Sequence, residues 1–134
     1  MKKCKISPAT LARTAALALA LTNQVLSATG HRVLPIESAE LEQLVSTGLT
    51  IATAESCTGG MIAQRLTSVS GASEVFGYGF VTYWEQAKAK LVGVDPAVIA
   101  QYNVVSAPVA AQMALGAAKA AGADIAVSVT GLAG

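Results

Sequence analysis

The stretch 50-TIATAESCTGGM-61 decides how this chain is read. The run 49-LTIATA-54 is small, β-branched and uncharged, the composition of a short strand covered on both faces. Glu55, Ser56, Cys57, Thr58 and the pair Gly59–Gly60 follow, and then 61-MIAQRLTSV-69, whose spacing predicts a helix. Three nucleophiles or anion ligands, Ser56, Cys57 and Thr58, thus stand side by side where a strand turns into a helix. Such a turn would aim the N–H groups of Thr58, Gly59 and Gly60 at one point, and small residues would let a substrate approach the main chain. The competing reading is that Ser56 or Thr58 caps the helix. The glycine pair lacks the spacing of a P-loop or a dinucleotide fingerprint, so neither ATP nor NAD is indicated.

Working outward, strands and helices alternate. Upstream, 38-SAELEQLVSTG-48 has Ser38 as N-cap, Leu41, Leu44 and Val45 as an apolar stripe, and Gly48 as a stop, so it reads as a helix. Downstream, 75-VFGYGFVTY-83 reads as a strand and 84-WEQAKAKLV-92 as a helix closed by Gly93. Asp95 as N-cap and Pro96 at the first helical position announce a short helix through Tyr102. Ser106 caps 107-APVAAQMALGAAKAAG-122, and 124-DIAVSVTGLAG-134 is a strand running into a glycine-containing turn. Strands separated by helices predict an α/β domain, three layers α/β/α around a largely parallel sheet. Only three strands are visible and the chain ends where a functional loop would begin, so the sheet is expected to be incomplete.

Composition narrows the function. With 134 residues, one domain is expected over residues 36–134, preceded by an atypical extension over 1–35. Residues 1–36 carry five basic and no acidic side chains; the remainder carries four basic against eight acidic ones, a balance of −4. That balance offers no basic stripe for nucleic acid. One histidine, His31, and two cysteines, Cys4 and Cys57, provide neither metal-ligand spacing nor a disulfide framework, so no metal is expected. The extension has a lysine-rich start, the apolar 15-AALALAL-21 and a small-residue end at Ser27–Ala28. Two readings fit it, a secretory signal-like segment or else an amphipathic helix or poorly ordered extension, and it is too short and polar-flanked to span a membrane. A cytoplasmic location follows from the second reading, export from the first.

Three polar clusters fall at strand ends, where α/β sheets gather ligands: Glu55 to Gly60, Tyr83 to Lys88, and Thr130 to Gly134. A cysteine hydrolase would pair Cys57 with a histidine, but the sole histidine lies in the extension. A serine can use a lysine as base when burial keeps that lysine neutral, and Lys88 and Lys90 lie near a strand end. Taken singly, Lys88 reads as a solvated helix residue and Tyr83 as core.

Together, TAESCTGG, FVTY with a lysine five residues after the tyrosine, LVGV, VSAPVAAQMALGA and VTGLAG resemble the CinA C-terminal domain family, the bacterial nicotinamide-nucleotide amidohydrolases. The resemblance covers roughly residues 38 to 134. It implies hydrolysis of the carboxamide of nicotinamide mononucleotide (NMN) to nicotinate mononucleotide and ammonia, with no cofactor. On that pattern Ser56 is the nucleophile, and Lys88 and Tyr83 manage its proton. Glu55, Thr58, Gly59, Gly60, Thr130 and Gly131 are implied to line the substrate. The N–H groups at 57–60 would serve either an oxyanion or the substrate phosphate, and both readings stay open at this point. Where the family commonly reads Tyr-Ser-Asn-Glu-Ala-Lys this chain has 83-YWEQAK-88, and the family's sequence after VTGLAG is missing. A non-catalytic remnant or nucleotide-binding module of the same fold is the alternative. An incomplete layer also predicts self-association into homo-oligomers through uncovered strand edges.

Overall fold

The structure, a computed structural model, describes residues 46–132. The expectations for the extension 1–35, for His31 and Cys4, and for most of the helix over 38–48 lie outside the described residues, as do Ala133 and Gly134. Seven elements and a turn of 3-10 helix follow one another: β1 (Ile51–Glu55), α1 (Met61–Thr67), the 3-10 turn (Ala72–Glu74), β2 (Phe76–Val81), α2 (Glu85–Val92), α3 (Pro96–Tyr102), α4 (Ala107–Ala121) and β3 (Ile125–Val129). The predicted caps are in place. The Asp95 side chain accepts from the N–H of Ala97 at 2.8 Å, and Ser106 accepts from that of Val109 at 3.4 Å. Gly93 and Gly122 end α2 and α4 in the left-handed conformation, both with φ 64.

The sheet has the order β2-β1-β3 and both pairings are parallel. Parallel strands end on the same side, so Glu55 lies opposite Val81 on one neighbour and Val129 on the other. Ser56, Thr82 and Thr130, the next residues along, therefore form one row of hydroxyl side chains at the carboxyl edge. The ladder is carried one step into this row, because Ser56 N–H donates to the Val129 carbonyl at 3.0 Å and Thr82 N–H to that of Glu55 at 2.7 Å. At the opposite edge, the Asp124 carboxylate accepts from the N–H and the hydroxyl of Thr50, tying the starts of β1 and β3.

Helices cover both faces. Alanines 52, 54 and 126 present a shallow surface on which Val109, Met113, Ala114 and Ala117 of α4 pack, with Val92 and Ile99 beside them. Such small residues let a helix lie close to the sheet. α4 approaches α2 closely as well: a methyl group on Gly116 would fall 1.6 Å from the Val92 carbonyl oxygen, so only glycine fits. On the other face Ile51 and Val129 pack against Ile62 and Leu66 of α1. Truncating a buried side chain such as Leu66 or Met113 to alanine costs about 2–5 kcal/mol in cores of this kind.

One irregularity escaped the sequence. Ile51 pairs with Phe76 but Ala52 with Tyr78, leaving Gly77 as an extra residue in β2. The bulge switches sides, so that Phe76 joins the α1 face whereas Phe80 joins the α4 face. β2 is also shorter than the expected 75–83: it runs from Phe76 to Val81, and after the last ladder bond, at Thr82, the chain leads through Tyr83 and Trp84 into α2.

Candidate active site

Lys88 is the centre of the site. It sits on the second turn of α2, and its side chain runs back toward the helix N-terminus, the direction helical geometry favours. There its Nζ lies 3.0 Å from the Ser56 hydroxyl, 2.7 Å from the Thr82 carbonyl oxygen and 3.1 Å from that of Tyr83. Lys88 is fully buried, and Ser56 is only 5% exposed. Burial pushes the lysine pKa below its ordinary value, against the opposing pull of the Glu85 carboxylate and of Cys57. A buried amine with lowered basicity beside a serine hydroxyl is the arrangement a serine–lysine pair needs.

Cys57 is disfavoured as the nucleophile on the same physics. Burial pushes its thiol up, more than the neighbouring N–H groups and Lys88 lower it. Its half-buried side chain lies against Gly131, where an added methyl group would come within 3.0 Å of the sulfur. The Thr130–Gly131 segment is in this way brought against the first cluster, and Thr130, 5% exposed, donates its hydroxyl to the Val104 carbonyl at 2.9 Å.

Glu55 is occupied by the backbone. Its carboxylate, 1% exposed, accepts from the N–H groups of Gly60 at 3.1 Å, Ile62 at 2.9 Å and Ala63 at 2.8 Å. Those are the donors that a helix N-terminus leaves without partners, so Glu55 caps α1 from a position five residues upstream. The cap expected from Ser56 or Thr58 is absent: Gly60 is the N-cap, with no side-chain bond. Gly59 and Gly60 have φ 59 and 105, the left-handed region in which side chains other than glycine are strained, and this explains the pair. Thr58 is 8% exposed and its hydroxyl has no partner among the described residues. Tyr83 reaches the site through its carbonyl, and its side chain is 59% exposed.

Thr82 was missed by the sequence reading. It is fully buried, and its N–H and hydroxyl both donate to the Glu55 carbonyl, at 2.7 and 3.3 Å, while its own carbonyl accepts from Lys88. Within FVTY it looks like ordinary strand filling; only its place directly before the tyrosine at a strand end could have marked it. Among the described residues no three His, Cys, Asp or Glu side chains come together as metal ligands, and no helix is long and apolar enough to cross a membrane.

The chain has relatives among known proteins. The family model for the CinA C-terminal domain matches residues 34–134. A model for the SPP1 phage holin also matches residues 5–55, of which 5–45 lie outside the described residues. The nicotinamide-nucleotide amidohydrolase PncC of Escherichia coli is 50% identical over 93 residues, 69% of this chain and 56% of that protein. A CinA-like protein of Chlorobaculum tepidum is 52% identical over 99 residues, 74% of this chain and 23% of that protein. The chain thus spans between about a quarter and just over half of the relatives it matches. Among solved structures, the CinA superfamily protein of Escherichia coli superposes with a TM-score of 0.69 at 41% identity, over 70% of this chain and 55% of that one. The competence/damage inducible protein of Agrobacterium tumefaciens gives 0.69 at 42% identity, over 77% and 66%.

Proposed function

The chain belongs to the CinA C-terminal domain family, and on that premise we propose that it is built to hydrolyse the carboxamide of NMN, with Ser56 as nucleophile and Lys88 as its base. The observation that carries the reading is the 3.0 Å approach of a fully buried lysine to the Ser56 hydroxyl. A neutral amine has two N–H bonds and one lone pair. The carbonyls of Thr82 and Tyr83 take the two N–H bonds, which turns the lone pair to the serine proton. The similarity to PncC of Escherichia coli supports the choice of substrate.

The chemistry then runs as acyl transfer to water. Ser56 Oγ attacks the amide carbon while its proton passes to Lys88 Nζ, and the carbonyl oxygen becomes an oxyanion. As the tetrahedral intermediate collapses, the C–N bond breaks and the Lys88 ammonium returns the proton to the leaving nitrogen, which departs as ammonia. Water attacks the resulting ester, giving its proton to Lys88, and in the second collapse the C–O bond breaks as Lys88 returns that proton to Ser56 Oγ, freeing nicotinate mononucleotide and restoring the neutral amine. Tyr83 takes part through its carbonyl, with its exposed phenol open to substrate. Thr58, Gly59, Gly60, Thr130 and Gly131 form the rim on which the substrate rests.

Ammonia release from NMN by the purified chain, set against a Ser56→Ala variant, tests this. The parent should release ammonia and the variant should lose activity by at least three orders of magnitude, on the order of what removing a nucleophile costs. Equal rates in the two proteins would sink the proposal and leave a binding module of the same fold.

A further inference from the structure

The backbone donors of residues 56–63 can be accounted for one by one. Ser56 N–H donates to Val129, Gly59 N–H to the Ser56 carbonyl at 3.1 Å and Met61 N–H to that of Thr58 at 3.1 Å. Those of Gly60, Ile62 and Ala63 go to the Glu55 carboxylate. Two donors find no oxygen. The N–H groups of Cys57 and Thr58 have no backbone or carboxylate acceptor among the described residues and face only the Cys57 sulfur, a weak acceptor. They belong to the two residues that follow Ser56, and the unpartnered Thr58 hydroxyl is in the same turn.

We propose that Glu55 is a positioning residue, which closes the N-terminus of α1 to anions and leaves the N–H groups of Cys57 and Thr58 as the donors to the oxyanion. This rests on the amide-hydrolysis reading above. A carboxylate that already satisfies three N–H groups leaves no vacant positive end for a substrate phosphate, so that phosphate is held by other parts of the site. Glu55 also steadies the second half of the serine–lysine pair. Its carbonyl accepts both donors of Thr82, whose own carbonyl holds Lys88, so the residue before the nucleophile holds the turn that follows Ser56 by its side chain and, through Thr82, Lys88 by its main chain. A carboxamide at this position keeps the shape but can accept on one side only and turns N–H donors toward N–H donors. The turn would then loosen around the nucleophile.

The test compares the full chain with Glu55→Gln and Glu55→Asp variants, both checked to be folded at the assay temperature by circular dichroism. Two rates are measured for each: covalent labelling of Ser56 by diisopropyl fluorophosphate, with Ser56→Ala as the blank, and turnover of NMN as separate kcat and KM. Glu55→Gln should lose on the order of tenfold to a hundredfold in labelling rate and in kcat, the cost of misplacing a reacting group, with KM unchanged. Glu55→Asp, which keeps the charge, should recover part of the loss. Equal labelling rates in folded parent and Glu55→Gln would overturn the proposal, and so would a rise in KM with kcat preserved, which would make Glu55 a substrate contact. If the parent labels at Ser56 but releases no ammonia from NMN, the amidohydrolase reading fails, while the labelling comparison still decides the role of Glu55. A parent that neither labels nor turns over overturns both.

Discussion

At the scale of single residues, the proposed chemistry turns on the protonation of one buried lysine. Folding lowers the Lys88 pKa, chiefly through burial, so between the folded and unfolded values the unfolded chain binds more protons. Stability contributed by this group therefore rises with pH across that window and is lowest where Lys88 is charged in both states. Activity should follow the same ionisation. kcat/KM is expected to climb with pH through a single step placed below the ordinary lysine pKa, and a profile flat through that region would contradict Lys88 as the base. Lys88→Arg, whose guanidinium keeps its proton, should abolish the step and most of the rate. The sequence showed that lysine, serine and tyrosine stood at strand ends. It could not show that Tyr83 contributes a carbonyl, or that Thr82 holds the amine, because main-chain acceptors carry no signature in residue type.

At the scale of elements, the turns and stops were legible because they are local. Asp95 with Pro96, Ser106, Gly93 and Gly122 act within a few residues of themselves, and each was found where the spacing placed it. The cap of α1 was not legible, since it comes from Glu55 in the preceding strand rather than from the N-cap position. α2 shows the converse. Its N-cap is Trp84, with suitable extended backbone, no side-chain cap bond and 72% exposure. Trp84→Ser should supply the missing acceptor and stabilise the protein by about 1 kcal/mol. A chemical denaturation midpoint at or below that of the parent would argue against this.

At the scale of the whole molecule, the three strands of the described residues leave two outer edges. Among the described residues β2 pairs only with β1, and it exposes Tyr78 and Val81, at 57% and 52%, beside Tyr83 and Trp84. An edge strand that shows apolar side chains and unpaired main-chain groups is a template for another chain. The isolated 134-residue chain should therefore self-associate. Sedimentation velocity checks it: species heavier than the monomer are expected and should grow with concentration, and a single monomeric boundary at all concentrations would refute the expectation.

Residue type and spacing alone determined the alternation of strands and helices, the helix stops and the set of polar residues at the strand ends, because periodicity, capping and turn chemistry act over a few neighbours. Tertiary structure decided the rest. Parallel pairing in register set Ser56, Thr82 and Thr130 in one row, and the fold of α2 onto the sheet buried Lys88 against a serine 32 residues away. In 50-TIATAESCTGGM-61 three nucleophiles were equivalent as letters. Burial and one long-range contact separate them, since a lysine's proton affinity depends on what surrounds it and not on where it stands in the chain.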